Sequence, residues 1–375
     1  MKLTVNIARL LVGALFIFSG LVKAIDPLGL SYKMQEFFEA WANDGFMKGV
    51  MMWLYAHSLL FSVFMITLEV ILGFALLIGW KKNITSWLLL LLTLFFTFLT
   101  AFVLFTGKIR ACGCFGDCIP LTPVQTFTKD LALLLLIIII ITGRKYIQPL
   151  FKKEMISLSL ILIVVLSISF LQYYVLGHLP LKDCLPFKIG NNILELRKMP
   201  KDAVQDKFVY SFIYEKKGTK KEFTVDALPD SSWTYVDRKQ KLIEKGKNNI
   251  PLINDFTFIT ENGSDTTEAV LSQPAEYYLL FIMGIPNTKN IPWVTDFYKI
   301  FKSNKPCYIV SSIPKEADTY FNHGSNSMNF GIKIFTCDGV AIKTAARNNV
   351  VLYLMKGPIV QHKWSAADIY KAVKN

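Results

Sequence analysis

Residues 84–142 read ITSWLLLLLTLFFTFLTAFVLFT (84–106), GKIRACGCFGDCIPLTP (107–123) and VQTFTKDLALLLLIIIIIT (124–142). Each outer run is close to the ~20 apolar residues a helix needs to cross a bilayer. The link between them is short, polar and rich in cysteine. This pattern predicts two membrane helices joined by a sulfur-bearing bend at one surface. Working outward, Val5–Ala24, Ser58–Trp80 and Met155–Leu176 repeat the apolar signature, giving five spans with Ile84–Thr106 and Val124–Thr142. Lys129 and Asp130 interrupt the start of the fourth, so a four-span chain is the alternative. The first run has Lys2 and Arg9 among its leading residues and only a marginal cleavage site at Val22-Lys23-Ala24, so an uncleaved helix is expected.

The composition fits this reading. The 375 residues are 53% hydrophobic with mean hydropathy +0.39, which excludes an ordinary soluble protein. The apolar runs end near Gly177, and the remainder is mixed in character. We expect a membrane domain over 1–150, a fifth helix over 151–178, a small β-rich connector over 179–249 and an α/β domain over 250–375. The net charge of +13 is diffuse: residues 1–176 carry 14 basic and 8 acidic side chains, the rest 27 and 20. Lys216, Lys217, Lys220 and Lys221 mark a solvated turn rather than a nucleic-acid stripe.

Charge also sets the orientation. With a cytoplasmic N-terminus, the inner side collects Lys2, Arg9, Lys81, Lys82, Arg144, Lys145, Lys152 and Lys153 in short connections. The longer outer loops hold Lys33, Lys48, Lys108 and Arg110, offset by Asp26, Glu36, Glu39, Asp44 and Asp117. Basic density therefore favours N-terminus in, and an odd number of spans puts the C-terminal domain outside, on the periplasmic face of an inner membrane. Asp26–His57 is too polar to cross. Phe37, Phe38 and Trp41, then Met51, Met52 and Tyr55, recur at helical spacing and predict one or two interfacial amphipathic helices.

On that face Cys112, Cys114 and Cys118 meet an oxidising compartment, and Cys184 emerges on the same side. Four readings stay open: a structural disulfide (Cys114–Cys118, or a bond to Cys184), a dithiol that exchanges with a protein or a quinone, a four-thiolate zinc site, and inert packing. Thr122, Pro123 and Gln125 form a helix-start signature. That helix end, with Lys108, Arg110 and Lys129, favours thiolate, whereas Asp117 opposes it.

The stretches ARLLVGALFIFSGLVKAIDP (8–27), LEVILGFALLIGWKK (68–82) and CGCFGD with TPVQTFTKDLALL (112–134) together resemble the DoxX/MauE-like membrane proteins, the cysteine loop being most similar to the MauE branch, named for methylamine utilisation. The resemblance covers about residues 1–145. It implies a four-helix core related to vitamin K epoxide reductase-type bundles and a role in disulfide formation or maturation of exported proteins. An acidic residue at the position of Glu69 belongs to the same resemblance. A carboxylate in the middle of a span costs about 2.5–3.5 kcal/mol and needs a partner. Proton uptake beside a thiol is one role. A neutral carboxyl bonded to Ser19, Thr67 or Thr97 is the other, with Lys23 as partner only where helix tilt matches their depths.

Beyond the spans, KFVYSFIYEKKGTKKEFTV and SSWTYVDRKQKLIEKG predict small antiparallel strands. From Ile250, EYYLLFIMG, KPCYIVSS and NVVLYLMKGPIVQHKW read as strands, while TDFYKIFKSN, PKEADTYFNH and SAADIYKAVKN read as helices. The order resembles a thioredoxin-like fold without its dithiol: the loop IPNTKNIPW lacks cysteine, and Asn348-Asn349 stands where a cis-proline belongs. Cys307 and Cys337 read as structural thiols or one structural disulfide. The fold class expected is thus a multi-pass α-helical membrane bundle, a four-helix core plus a fifth span, followed by an extracytoplasmic α/β thioredoxin-like domain. The expected function is thiol–disulfide chemistry of exported proteins, with Cys112, Cys114 and Cys118 carrying electrons, Cys184 resolving and Glu69 handling a proton. The expected partners are the bilayer and an exported protein substrate or thiol-redox partner. No nucleic acid is expected, and no quinone motif is visible. A non-catalytic accessory factor is the alternative. Transport through the bundle by way of Glu69 finds no inverted repeat or broken helix in support.

Overall fold

The computed structural model describes residues 1–109, 112–244, 246, 248–285, 291–323 and 330–374. Among these, five helices are long and apolar enough to cross a membrane: α1 (Lys2–Ala24), α4 (Ser58–Ile78), α5 (Lys82–Thr106), α6 (Pro123–Thr142) and α7 (Glu154–Gly177). Between α1 and α4 lie α2 (Pro27–Asn43) and α3 (Lys48–Ala56). The fourth span is a full helix despite Lys129 and Asp130, because Asp130 turns into the bundle and is buried. Its start has the expected capping box, Thr122 and Gln125 bonding reciprocally with Pro123 in the first turn.

α1 and α4 run antiparallel through a glycine contact. A Cβ on Gly73 would meet the Gly13 carbonyl oxygen at 2.8 Å and the Phe16 Cβ at 2.9 Å. Small residues let membrane helices approach this closely. At the end of the bundle bearing Lys81, Lys82, Arg144 and Lys145, the Arg9 guanidinium donates to the carbonyls of Leu76 (2.8 Å) and Leu77, closing the open end of α4. The cysteine loop, α2, α3 and the C-terminal half gather at the opposite end. α7 buries Ile161, Ile168 and Val175 in packing mainly on α4, and shows most of its surface outward.

The expected interfacial helices are two, and α2 is more than interfacial. Asp26 caps it by accepting from the Gly29 N–H (3.0 Å). Ser31 bonds Ser58 (2.9 Å), and Ser62 donates to the Pro27 carbonyl (2.7 Å), so α2 lies along the first turns of α4. Phe37 is buried with Leu99 and Val103 of α5. α3 keeps the surface character, with Val50, Met52 and Trp53 exposed.

After α8 (Ile193–Leu196), strands β1 (Lys207–Lys216), β2 (Thr219–Thr224) and β3 (Thr234–Glu244) form an antiparallel sheet in the order β2-β1-β3. Then follow α9 (Thr267–Leu271), β4 (Glu276–Ile282), α10 (Pro292–Phe301), β5 (Cys307–Ser311), α11 (Pro314–Asn322), β6 (Lys333–Thr336), α12 (Gly339–Ala346), β7 (Val350–Lys356), β8 (Ile359–Ser365) and α13 (Ile369–Ala372). The second sheet runs β6-β5-β4-β7-β8, with β4, β5 and β6 parallel and β7 and β8 antiparallel to their neighbours. After Glu276, β4 runs Tyr277–Ile282 without a charge because both its faces are covered. Tyr277, Leu279 and Phe281 pack toward α9 and α12, while Tyr278, Leu280 and Ile282 pack toward α10, α11 and α13. β6 and α12 are additions to the sequence reading. Asp338-Gly339 is a helix start, the Asp338 side chain accepting from the N–H groups of Val340 (2.8 Å) and Ala341 (3.0 Å). Most of the loop IPNTKNIPW, residues 286–290, lies outside the described residues, as does Arg110.

Candidate functional site

The loop between α5 and α6 turns on Gly113 and Gly116, which adopt φ of +74° and +58° that other residues rarely take. The turn folds Cys112 back beside Cys114. Both thiols are free and buried, with Sγ atoms 3.4 Å apart, within reach of an S–H···S hydrogen bond. Ser19 of α1 donates to the Cys114 carbonyl (2.9 Å), and Phe37 of α2, Leu99, Val103 and Ile109 surround the pair.

The other two loop-associated cysteines part company with these. Cys118 and Cys184 form a disulfide, which joins the cysteine loop to the first residues after α7. The sequence reading gave Cys118 to electron transfer and Cys184 to resolution, with a bond to Cys184 among its alternatives. The structure brings Cys112 and Cys114 together as the free pair and places Cys118 and Cys184 in the covalent tie. Cys307 and Cys337 are separate free thiols, each pushed up to about 12 by burial, and they form no disulfide.

Below Cys114 sits a charged cavity. Lys23 at the end of α1 and Glu69 of α4 pair at 2.6 Å, both buried. Glu69 therefore lies level with the end of α1 rather than midway along it, because the first turns of α4 stand beside α2. Of the neutral partners proposed for Glu69, Ser19 serves Cys114, Thr67 accepts from Gln172 (2.9 Å), and Thr97 donates to the Thr93 carbonyl (2.8 Å). Asp130, 1% exposed, pairs with Lys129 (2.7 Å) and accepts from the Thr100 hydroxyl (3.1 Å). The two ammonium groups also face rings, Lys23 over Phe96 at 4.7 Å and Lys129 over Phe115 at 4.9 Å. Ser19, Lys23, Glu69, Thr93, Cys114 and Asp130 are among the residues lining a cavity of about 20 Å³, room for one water molecule. The Thr93 hydroxyl is buried there with no hydrogen-bond partner among the described residues.

These groups decide the state of the thiols. The hydrogen bond with Cys112 holds the Cys114 thiol below its ordinary value, with Lys129 and Lys23 helping against burial and Asp130. The same bond, with burial, raises Cys112 well above it. Of the two thiols, Cys114 is thus the one whose thiolate is favoured and Cys112 the one that keeps its proton more firmly. Asp117, expected to act on the thiols, is instead drawn off by Arg347. Asp130 and Thr93 were missed as site residues, whereas Lys129 was read as a cation acting on the thiols. The signal was present, since an ionisable pair inside an apolar span calls for a partner and a purpose.

Comparison with known proteins agrees with the bundle. Residues 1–143 match the family model of the methylamine utilisation protein MauE, and residues 208–245, essentially the three-stranded sheet, match a domain of unknown function (DUF8463). No curated protein and no solved structure matches the chain. Four of the five apolar helices and the cysteine-bearing loop at one end of them fall within residues 1–143, the part of the chain that is similar to the MauE family.

Proposed function

We propose that the chain serves the maturation of exported proteins by thiol–disulfide exchange at Cys112 and Cys114. The family match suggests an accessory role in maturation for methylamine utilisation. The observation that carries the redox reading is the free pair of sulfurs 3.4 Å apart above a buried ionic cavity, while Cys118 and Cys184 are already bridged.

In this cycle the Cys114 thiolate attacks one sulfur of a client disulfide. The client S–S bond breaks, a mixed disulfide forms, and the departing client thiolate takes a proton. Cys112 then gives its proton to a carboxylate of the cavity, Glu69 or Asp130, and attacks the Cys114 sulfur. A Cys112–Cys114 disulfide forms and the second client thiolate leaves. The client has gained two electrons and the pair has lost them. A dithiol partner protein resets the pair. Run in the opposite direction, the cycle forms client disulfides and needs an oxidant such as a quinone. The cysteine end faces the exported side in this reading, supported by the basic residues at the other end. The strand order β5-β4-β7-β8 supports a thioredoxin-like assignment for residues 250–374, with Asn348-Asn349 leading into β7 and no dithiol of its own.

Trapping with a thiol reagent in intact membranes tests the cycle. Cys112→Ser should accumulate a mixed disulfide on Cys114, and Cys114→Ser should accumulate none. Absence of any trapped species, together with normal maturation in both variants, sinks the exchange reading. A second reading, a non-catalytic assembly factor locked by Cys118–Cys184, is favoured by the depth at which both free thiols are buried. In that case Cys118→Ser disturbs function more than Cys114→Ser.

A further inference from the structure

We infer that the C-terminal domain is a cap held in place on the Cys112–Cys114 pair by the chain itself, fastened chiefly through Arg347. This deepens the exchange reading, since it concerns access to the same two thiols, but the observations are independent of the chemistry. Arg347 ends α12 in a left-handed conformation (φ +50°) and is 7% exposed. Its guanidinium meets Asp26, the cap of α2, at 3.0 Å, pairs with Asp117 inside the cysteine loop, and lies over Tyr32 of α2 at 5.5 Å.

The neighbouring contacts point the same way. One turn earlier Lys343 donates to Gln35 of α2 (3.1 Å). One residue later the Asn348 amide donates to the carbonyls of Leu176 and His178 at the end of α7, both at 3.2 Å. Lys363 of β8, almost wholly buried, holds Asp183 at 2.6 Å beside the Cys184 end of the disulfide. A single turn of the soluble domain thus grips α2, the cysteine loop and the last span together.

The grip matters because α2 covers the sulfurs. Phe37, on the helix pinned at Asp26, Tyr32 and Gln35, packs in one cluster with Cys112 and Cys114. Removing the guanidinium also leaves the Asp26 and Asp117 carboxylates facing each other without a cation, so attraction turns to repulsion. A client would gain the dithiol by displacing this turn.

The test is the rate of maleimide labelling at each cysteine, read by mass spectrometry on the full chain in membrane vesicles. Arg347→Ala and Asp117→Asn should each speed labelling of Cys112 and Cys114 at least tenfold. Arg347→Lys should fall between these variants and the parent. Cys337, buried in the core of the C-terminal domain, must stay unlabelled as a control for folding. Should Arg347→Ala expose Cys337, Asp117→Asn and Lys343→Ala decide the matter. Unchanged labelling of both thiols with Cys337 protected overturns the cap. Faster labelling without any exchange activity would leave the cap standing and remove the exchange reading.

Discussion

Lys23 and Glu69 meet at 2.6 Å from separate helices, each almost free of solvent. Removing one member strands the other charge, at a cost of about 3–5 kcal/mol. Glu69→Gln or Lys23→Met should therefore lower the unfolding midpoint of the purified protein. The double change to Met at both positions should recover much of the loss, and a double-mutant cycle that came out additive would deny the pairing. Lys129 acts on the thiol instead. Lys129→Met should shift the pH profile of Cys114 alkylation upward, since Lys129 is one of the cations that favour its thiolate. Lys129→Arg should keep the profile near its original place. The sign follows from the depressed Cys114 thiol: the reactive thiolate persists to lower pH than in a free cysteine, and losing a nearby cation withdraws that advantage. Cys112, raised well above the ordinary value, should label only at much higher pH. The cysteines and Glu69 were legible in the sequence as single residues. Which sulfur meets which was not, since the glycine turns that bring Cys112 to Cys114 decide it through backbone conformation.

At the scale of elements, apolar length gave all five spans, and β-rich runs gave most of the C-terminal strands. Two things escaped. α2 was read by its aromatic spacing as a surface helix, yet Ser31, Gln35 and Phe37 bind it to α4 and α5, a tertiary choice that periodicity does not encode. β6 has only four residues, too few for a recognisable alternation. The close approach of α1 and α4 yields a sharp expectation. Gly73→Ala places a methyl 2.8 Å from a backbone oxygen, and overpacking of this kind costs about 1–3 kcal/mol. Gly49→Ala in α3, where nothing lies within 4 Å, should leave detergent stability unchanged. Equal effects from the two changes would contradict the glycine contact.

For the molecule as a whole, the sidedness of the charges predicts that an impermeant reagent on whole cells reaches the C-terminal domain, and that a reporter at the N-terminus stays cytoplasmic. The composition break near Gly177 showed where membrane gives way to soluble chain. It did not show that the soluble part returns to clasp the bundle, because Arg347, Lys343 and Asp26 look like ordinary surface charges until the fold pairs them. The disulfide adds to this clasp. Its separation of 66 residues corresponds to about 4 kcal/mol by chain entropy, an upper figure while α6 and α7 remain inserted. Cys118→Ser should lower the thermal midpoint without freeing a catalytic thiol. The same bond also fixes an order of biogenesis. It encloses two entire spans, so oxidation must wait until the ribosome has delivered both and Cys184 has emerged beside its mate. Until that moment the nascent chain carries three unpaired sulfurs in one small bend, and Cys118 must stay reduced beside Cys112 and Cys114 for the late bond to form.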